Sequence, residues 1–172
     1  PSLNDSEAIN SFGVVVNYTG VAYPYLIGQQ DEDDLPVTET ACGGIFMFSR
    51  EVYEQVGGFD EDLFLYHEDH DLSWRIRLGG WKLMVTPKSV CSHHYDFNKG
   101  VQKFYRSEKN RLHILLKNLE SKTLILISPA LIIVELAQVI HALMHGWLGL
   151  KVKSYFEVLG QFPQIARKRR KI

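Results

Sequence analysis

Cysteine is scarce. Only Cys42 and Cys91 occur in 172 residues, too few for a disulfide framework and without zinc-binding spacing, so both read as buried thiols. A basic excess is missing too. Nineteen Lys and Arg stand against 20 Asp and Glu, a net charge of −1, which argues against a nucleic-acid partner. Neither disorder nor a fibrous repeat fits a chain with 45% hydrophobic and 23% charged residues. No charged n-region or apolar h-region follows Pro1, so no signal peptide is read and the chain is expected to be the C-terminal part of a longer protein. The charge that is present is unevenly placed. Asp31 to Asp34 is an acidic run, read as a solvated loop, whereas Lys151 to Ile172 holds seven Lys or Arg and one acid.

Three zones follow from the pattern. Residues 1–40 are turn-rich, with Val14-Val15-Val16 as a short strand candidate. Residues 41–97 are denser. Gly44 to Phe48 suits a buried strand, Ser49 offers a helix N-cap, and Gly57-Gly58 stops a short helix. Asp69 to Leu78 has helical spacing, with Leu72 and Ile76 on one stripe and Trp74 and Leu78 on the next, before Gly79-Gly80. Trp81 to Val85 and Val90 to His94 read as strands, so the region is expected to be an α/β layer. A polar-faced helix is expected over Val101 to Leu119.

Leu124 to Leu150 is strongly apolar and long enough to span a bilayer. Glu135, Gln138, His141 and His145 nevertheless step by three or four. One polar stripe suits a helix lying in the membrane interface, or packed beside a partner, better than a lone lipid-facing span. Trp147 and the basic end favour membrane association over a buried core helix with a solvated tail.

Chemistry concentrates between Asp60 and Asp71, where acids and histidines crowd beside Phe64, Tyr66 and Trp74. Glu68 and Asp69 fall where a loop enters a helix, whose free amides stabilise carboxylates. An ionised Asp there could act as a general base or as a cap; spacing favours the cap for Asp71 and leaves Asp69 open. His67 and His70 lack a third soft ligand at a recognisable interval and read as surface or supporting residues. His93, at a strand end, sits where ligands collect in α/β layers.

Ala41 to Arg50, Val56 to Glu61, Tyr66 to Arg75, Gly80-Trp81, Pro87 and His93-His94, with Lys109-Asn110-Arg111 beyond them, resemble family 2 glycosyltransferases, and within these the rhamnosyltransferase-like branch with the GT-A fold. The resemblance implies an α/β fold: the acceptor-side half of a GT-A domain over residues 1–98, a connecting helix over 99–122 and membrane-associated helices over 123–172. It implies Asp69 as catalytic base, Glu68 as its orienting neighbour, and Gly43 and Gly44 as backbone that lets substrate approach closely. Trp74 and Arg75 are implied at the substrate side, chiefly supporting the active-site loop. His93 is implied as ligand to Mg²⁺ or Mn²⁺ bridging a diphosphate. The implied partners are a nucleotide-sugar donor, a glycan or lipid-linked acceptor of envelope polysaccharide synthesis, and the cytoplasmic face of the cell membrane. The nucleotide-binding half with its Asp-x-Asp motif has no counterpart in this sequence, so the chain is expected to be inactive alone. A non-catalytic membrane scaffold and a metal-dependent hydrolase remain the rival readings.

Overall fold

Three consecutive valines favour extended backbone, and β1 (Val14–Val16) pairs antiparallel with β2 (Ala22–Pro24), Val15 opposite Tyr23. The computed structural model describes residues 9–29, 35–91 and 100–170. A second two-stranded antiparallel sheet joins β3 (Thr38–Glu39) to β4 (Met84–Val85), and a bridge between Val14 and Ala41 links the two. The architecture therefore mixes helices with two small sheets. The expected strand over Gly44 to Phe48 is absent: the run is irregular, and its aromatic rings pack sideways instead. Phe46 stacks on Phe48 at 5.7 Å, and Phe48 on Tyr53 at 6.4 Å. Of Trp81 to Val85 only the last two residues pair. Val90 and Cys91 lie outside any strand, and the rest of that expected strand falls outside the described residues. Cys42 is buried as expected, but Cys91 is exposed.

The expected helices form. In α1 (Arg50–Val56) the Ser49 hydroxyl accepts from the Val52 amide at 3.3 Å, and Gly57 at φ 75° ends the helix. Helix α2 (Glu68–Leu78) buries Leu72 and Ile76, one turn apart, against Val52, with Phe46, Phe48, Trp81 and Leu83 around them. Helices α3 (Gly100–Asn118), α4 (Ser121–Met144) and α5 (Leu148–Arg169) make the second half. Helix α3 packs mainly on α5 and also touches α2, so it ties the acid-rich region to the C-terminal helices. Ile114, Leu115, Val158 and Ile165 are buried there.

Helix α4 is long and apolar enough to cross a membrane. Its apolar stretch does not run on to Leu150: Gly146 at φ 73° breaks it. Trp147, expected near a membrane boundary, is instead 2% exposed and stacks on Phe104 at 5.6 Å. Glu135, Gln138 and His141 of the polar stripe face the rest of the protein, whereas His145, just past the end of α4, is exposed. The Glu135 carboxylate accepts from Arg111, from Lys151 Nζ at 2.9 Å and from the Tyr155 hydroxyl at 2.6 Å.

Candidate active site

The loop between α1 and α2 bends through conformations that side chains rarely adopt. Phe64, Tyr66 and His67 have φ of 48°, 69° and 66°, each costing of order 1 kcal/mol unless its surroundings hold it. Asn110 of α3 supplies that hold. Its amide nitrogen donates to the carbonyls of Leu63, Leu65 and Tyr66 at 2.7, 3.0 and 2.6 Å. Leu63, 1% exposed, plugs the loop into the core. The chain then enters α2 with Glu68, Asp69 and Asp71 all in the first turn, at the positive end of the helix dipole.

The Asp69 side chain is 22% exposed, and one of its carboxylate oxygens accepts from the His70 amide at 2.8 Å. The Ser73 hydroxyl donates to the Asp69 carbonyl at 2.7 Å while accepting from the Cys42 amide at 2.6 Å. One side chain thus brings the segment before Gly43 and Gly44 against the turn that carries Asp69. A Cβ added at Gly43 would meet only Val14 at 3.6 Å, one at Gly44 would meet nothing, and neither glycine has positive φ. Among the described residues nothing requires glycine at either position. Glu68 is half-buried, with one carboxylate oxygen fully enclosed and unpaired among the described residues. Burial, reinforced by Asp69, pushes its carboxyl above the usual range.

The histidines are not on the surface. His67 is 7% exposed; its Nε2 lies 2.9 Å from the Ser107 hydroxyl and its Nδ1 3.0 Å from His70 Nδ1. Burial, with His70 close by, pushes His67 down to about 3, and burial lowers His70 as well. A neutral pair satisfies this geometry if Ser107 donates to His67 and His67 donates to His70. His70 Nε2 then points at Asp69 from 3.7 Å.

Asp71 is not a cap. The helix N-cap is His67, whose side chain makes no capping bond, and Asp71 is fully buried. Its carboxylate meets Arg75 Nε at 2.9 Å, Asn118 Nδ2 at 2.9 Å and Lys117 Nζ at 2.7 Å. Lys117 continues to Asp60 at 2.5 Å, and Lys168 near the end of α5 also binds Asp60, and Asp62 at 2.7 Å. Against the effect of burial, the two lysines hold the Asp60 carboxyl far below the usual range. Arg75 donates to the carbonyls of Val56 and Gly58 at 2.5 and 2.7 Å, so its guanidinium supports the loop. Trp74 is half-buried on α2. Lys117 and Asn118 escaped the sequence reading, and Asn110 entered it only as part of Lys109-Asn110-Arg111 with no role given, because their partners are 44 or more residues away.

His93 lies outside the described residues, and among those described no three His, Cys, Asp or Glu side chains gather in a way that could hold a metal ion. The described residues thus do not make a divalent-cation site by themselves.

Residues 34–99 match the family described as the N-terminal domain of galactosyltransferase. A 58-residue stretch is 38% identical to the N-acetylglucosaminyl-diphospho-decaprenol L-rhamnosyltransferase of Mycobacterium tuberculosis, covering 34% of this chain and 19% of that protein. The resemblance to glycosyltransferases holds. Human polypeptide N-acetylgalactosaminyltransferase 3 is 30% identical over 88 residues, 46% of this chain and 14% of its own. Rhamnosyltransferase WbbL of Escherichia coli is 37% identical over 68 residues, 38% of this chain and 26% of its own. The matched region spans between 14% and 26% of the length of these curated relatives. No solved structure matches the chain.

Proposed function

We propose that this chain forms the acceptor side of an inverting GT-A glycosyltransferase that moves a sugar from a nucleotide-sugar donor to a lipid-linked acceptor. The observation that carries the reading is the first turn of α2, where Asp69 stands partly open between a loop clamped by Asn110 and the Cys42–Gly44 segment held by Ser73. In the reaction the acceptor oxygen bonds to the anomeric carbon, the bond from that carbon to the diphosphate breaks, and the nucleoside diphosphate leaves. The proton of the acceptor hydroxyl goes to Asp69, the general base. His70, through its backbone amide, fixes one oxygen of Asp69. Glu68, held toward its protonated form by burial, orients the acceptor by hydrogen bonding. Gly43 and Gly44 leave room for the sugar, and Trp74 limits water.

Two kinds of acceptor are suggested by relatives' names: a diphospholipid-linked sugar for the mycobacterial enzyme and a polypeptide for the human one. The exposed apolar face of α4 favours the lipid. A divalent cation, if bound with the donor, would offset charge on the leaving diphosphate, and the described residues alone do not hold one. The test uses the complete protein with a panel of nucleotide sugars and either a diphospholipid-linked sugar or a peptide. Transfer to the lipid-linked sugar is expected. Transfer to the peptide alone would overturn the acceptor class. Absence of donor-dependent transfer would favour a scaffold, and donor-independent cleavage a hydrolase.

A further inference from the structure

Helix α4 is inside out for a helix in water. From Leu124 to Met144 every exposed residue is apolar, and each polar residue, Ser128, Glu135, Gln138 and His141, is at least partly covered. Ile125, Leu126, Ile132, Ile133, Ile140 and Leu143 are 57–79% exposed. With Pro129 and Leu136, also exposed, they recur every three to four residues and so share one face. A continuous apolar face of this size marks an interaction surface. Length and composition alone would allow α4 to cross a bilayer.

Glu135 decides against crossing. It lies mid-helix, and its carboxylate is held by Arg111 of α3 and by Lys151 and Tyr155 of α5. Arg111 and Lys151 are shared with Glu108, at 3.0 and 2.5 Å, and Arg111 also donates to the Thr19 carbonyl at 2.9 Å. Two anions and two cations thereby lock α4 lengthwise to α3, α5 and the N-terminal loop. Burial would raise Glu135, but Arg111, Tyr155 and Lys151 outweigh it and keep the carboxyl below its ordinary range. Drawing α4 through a bilayer would either break this lock and leave a charge in hydrocarbon, or drag the charge-rich α3 in with it; both are strongly unfavourable.

We propose that α4 lies flat on an anionic bilayer, its Ile125–Leu143 face in the acyl boundary and its Glu135 stripe against the protein. Charge favours the bilayer over a second copy of the chain. Residues 119–170 expose Lys122, Lys153, Arg167 and Arg170 but only one acid, Glu120, as attraction to anionic lipid requires. Helix α5 adds exposed Phe156, Leu159 and Phe162. This deepens the lipid-linked acceptor reading by stating how the membrane is met. The two can fail separately, because lipid binding is measured with neither donor nor acceptor present.

The test places nitroxide labels singly at Leu126, Ile133 and Ile140 in the whole chain, on vesicles of phosphatidylcholine with and without phosphatidylserine. Leu126 and Ile140 are 14 residues apart, about 21 Å along a helix. A flat helix puts all three labels within about 5 Å of one depth, 5–10 Å below the headgroups. Ile133→Glu, on the exposed face and harmless to folding, should lower partitioning at least tenfold, and removing phosphatidylserine should weaken it. A depth gradient approaching 20 Å would mean that α4 spans the bilayer. Failure to bind vesicles, or close label pairs from a dimer formed without lipid, would overturn the proposal outright.

Discussion

Asp69 and Asp71 sit two residues apart in one helical turn and have opposite surroundings. Asp69 is partly open to solvent, whereas Asp71 is sealed between Arg75, Lys117 and Asn118. Removing one charge from a buried pair leaves its partners uncompensated and costs about 3–5 kcal/mol, far more than a lost cap at about 1 kcal/mol. Asp71→Asn should therefore lower the unfolding free energy from urea titration by about 3–5 kcal/mol, and a loss near 1 kcal/mol would restore the cap assignment. The glycines give a complementary prediction. Gly43→Ala and Gly44→Ala meet no clash with the described residues, so their stability should stay within about 0.5 kcal/mol of the parent. Their transfer rate should nevertheless fall if substrate occupies that space. Unchanged turnover would place the sugar elsewhere.

At the level of elements, helix positions were legible because their signals are local. Ser49, Gly57 and Gly79 bracket α1 and α2 within a residue or so of the expected limits. The loop from Phe64 to His67 was not legible, since left-handed backbone in non-glycine residues is imposed from outside, here by Asn110. The Gly44–Phe48 run misled for a related reason: aromatic residues that suit a strand also suit stacking on a helix, and only the absence of a pairing partner decides. The buried histidines at the α2 entrance add a pH signature. His67 falls from an ordinary 6.5 to about 3 on folding because it is buried. Between those values the unfolded chain binds a proton that the folded chain refuses. Stability is thus full above about pH 6.5 and declines as the pH drops, by up to about 1.4 kcal/mol per unit for one proton. His70 moves in the same direction. His67→Gln should flatten this slope in urea titrations between pH 6.5 and 4; an unchanged slope would mean that His67 does not titrate on unfolding.

Across the whole molecule, one ionic network ties the three C-terminal helices together and a second joins the halves. One runs from Glu108 through Arg111 and Lys151 to Glu135; the other runs from Asp71 through Lys117 and Asp60 to Lys168. The sequence made the basic end legible as charge but not as structure, because Lys168 is bound to the loop before α2 rather than left for lipid. The polar stripe of α4 was legible as a stripe, and its partners turned out to lie in the chain itself. Asp60 gives this scale its prediction. Its carboxyl is depressed in the folded state, so the stability it confers is present above the ordinary carboxylate range and lost as the pH falls below it. Lys168→Ala should weaken that acid dependence and loosen the α5 end, seen as faster amide exchange over residues 160–169. Exchange like that of the parent would show that the end is held by packing alone.

The proposed transfer of the acceptor proton to Asp69 is read most directly from kcat of Asp69→Asn in the complete, membrane-reconstituted protein. Asparagine keeps the shape and removes the basicity, and a positioned base contributes about 10²–10⁴-fold. A loss of that size is expected, with donor affinity little changed and urea stability close to the parent, since Asp69 is in neither buried network. Near-normal turnover by a well-folded Asp69→Asn protein would contradict it and pass the role to Glu68.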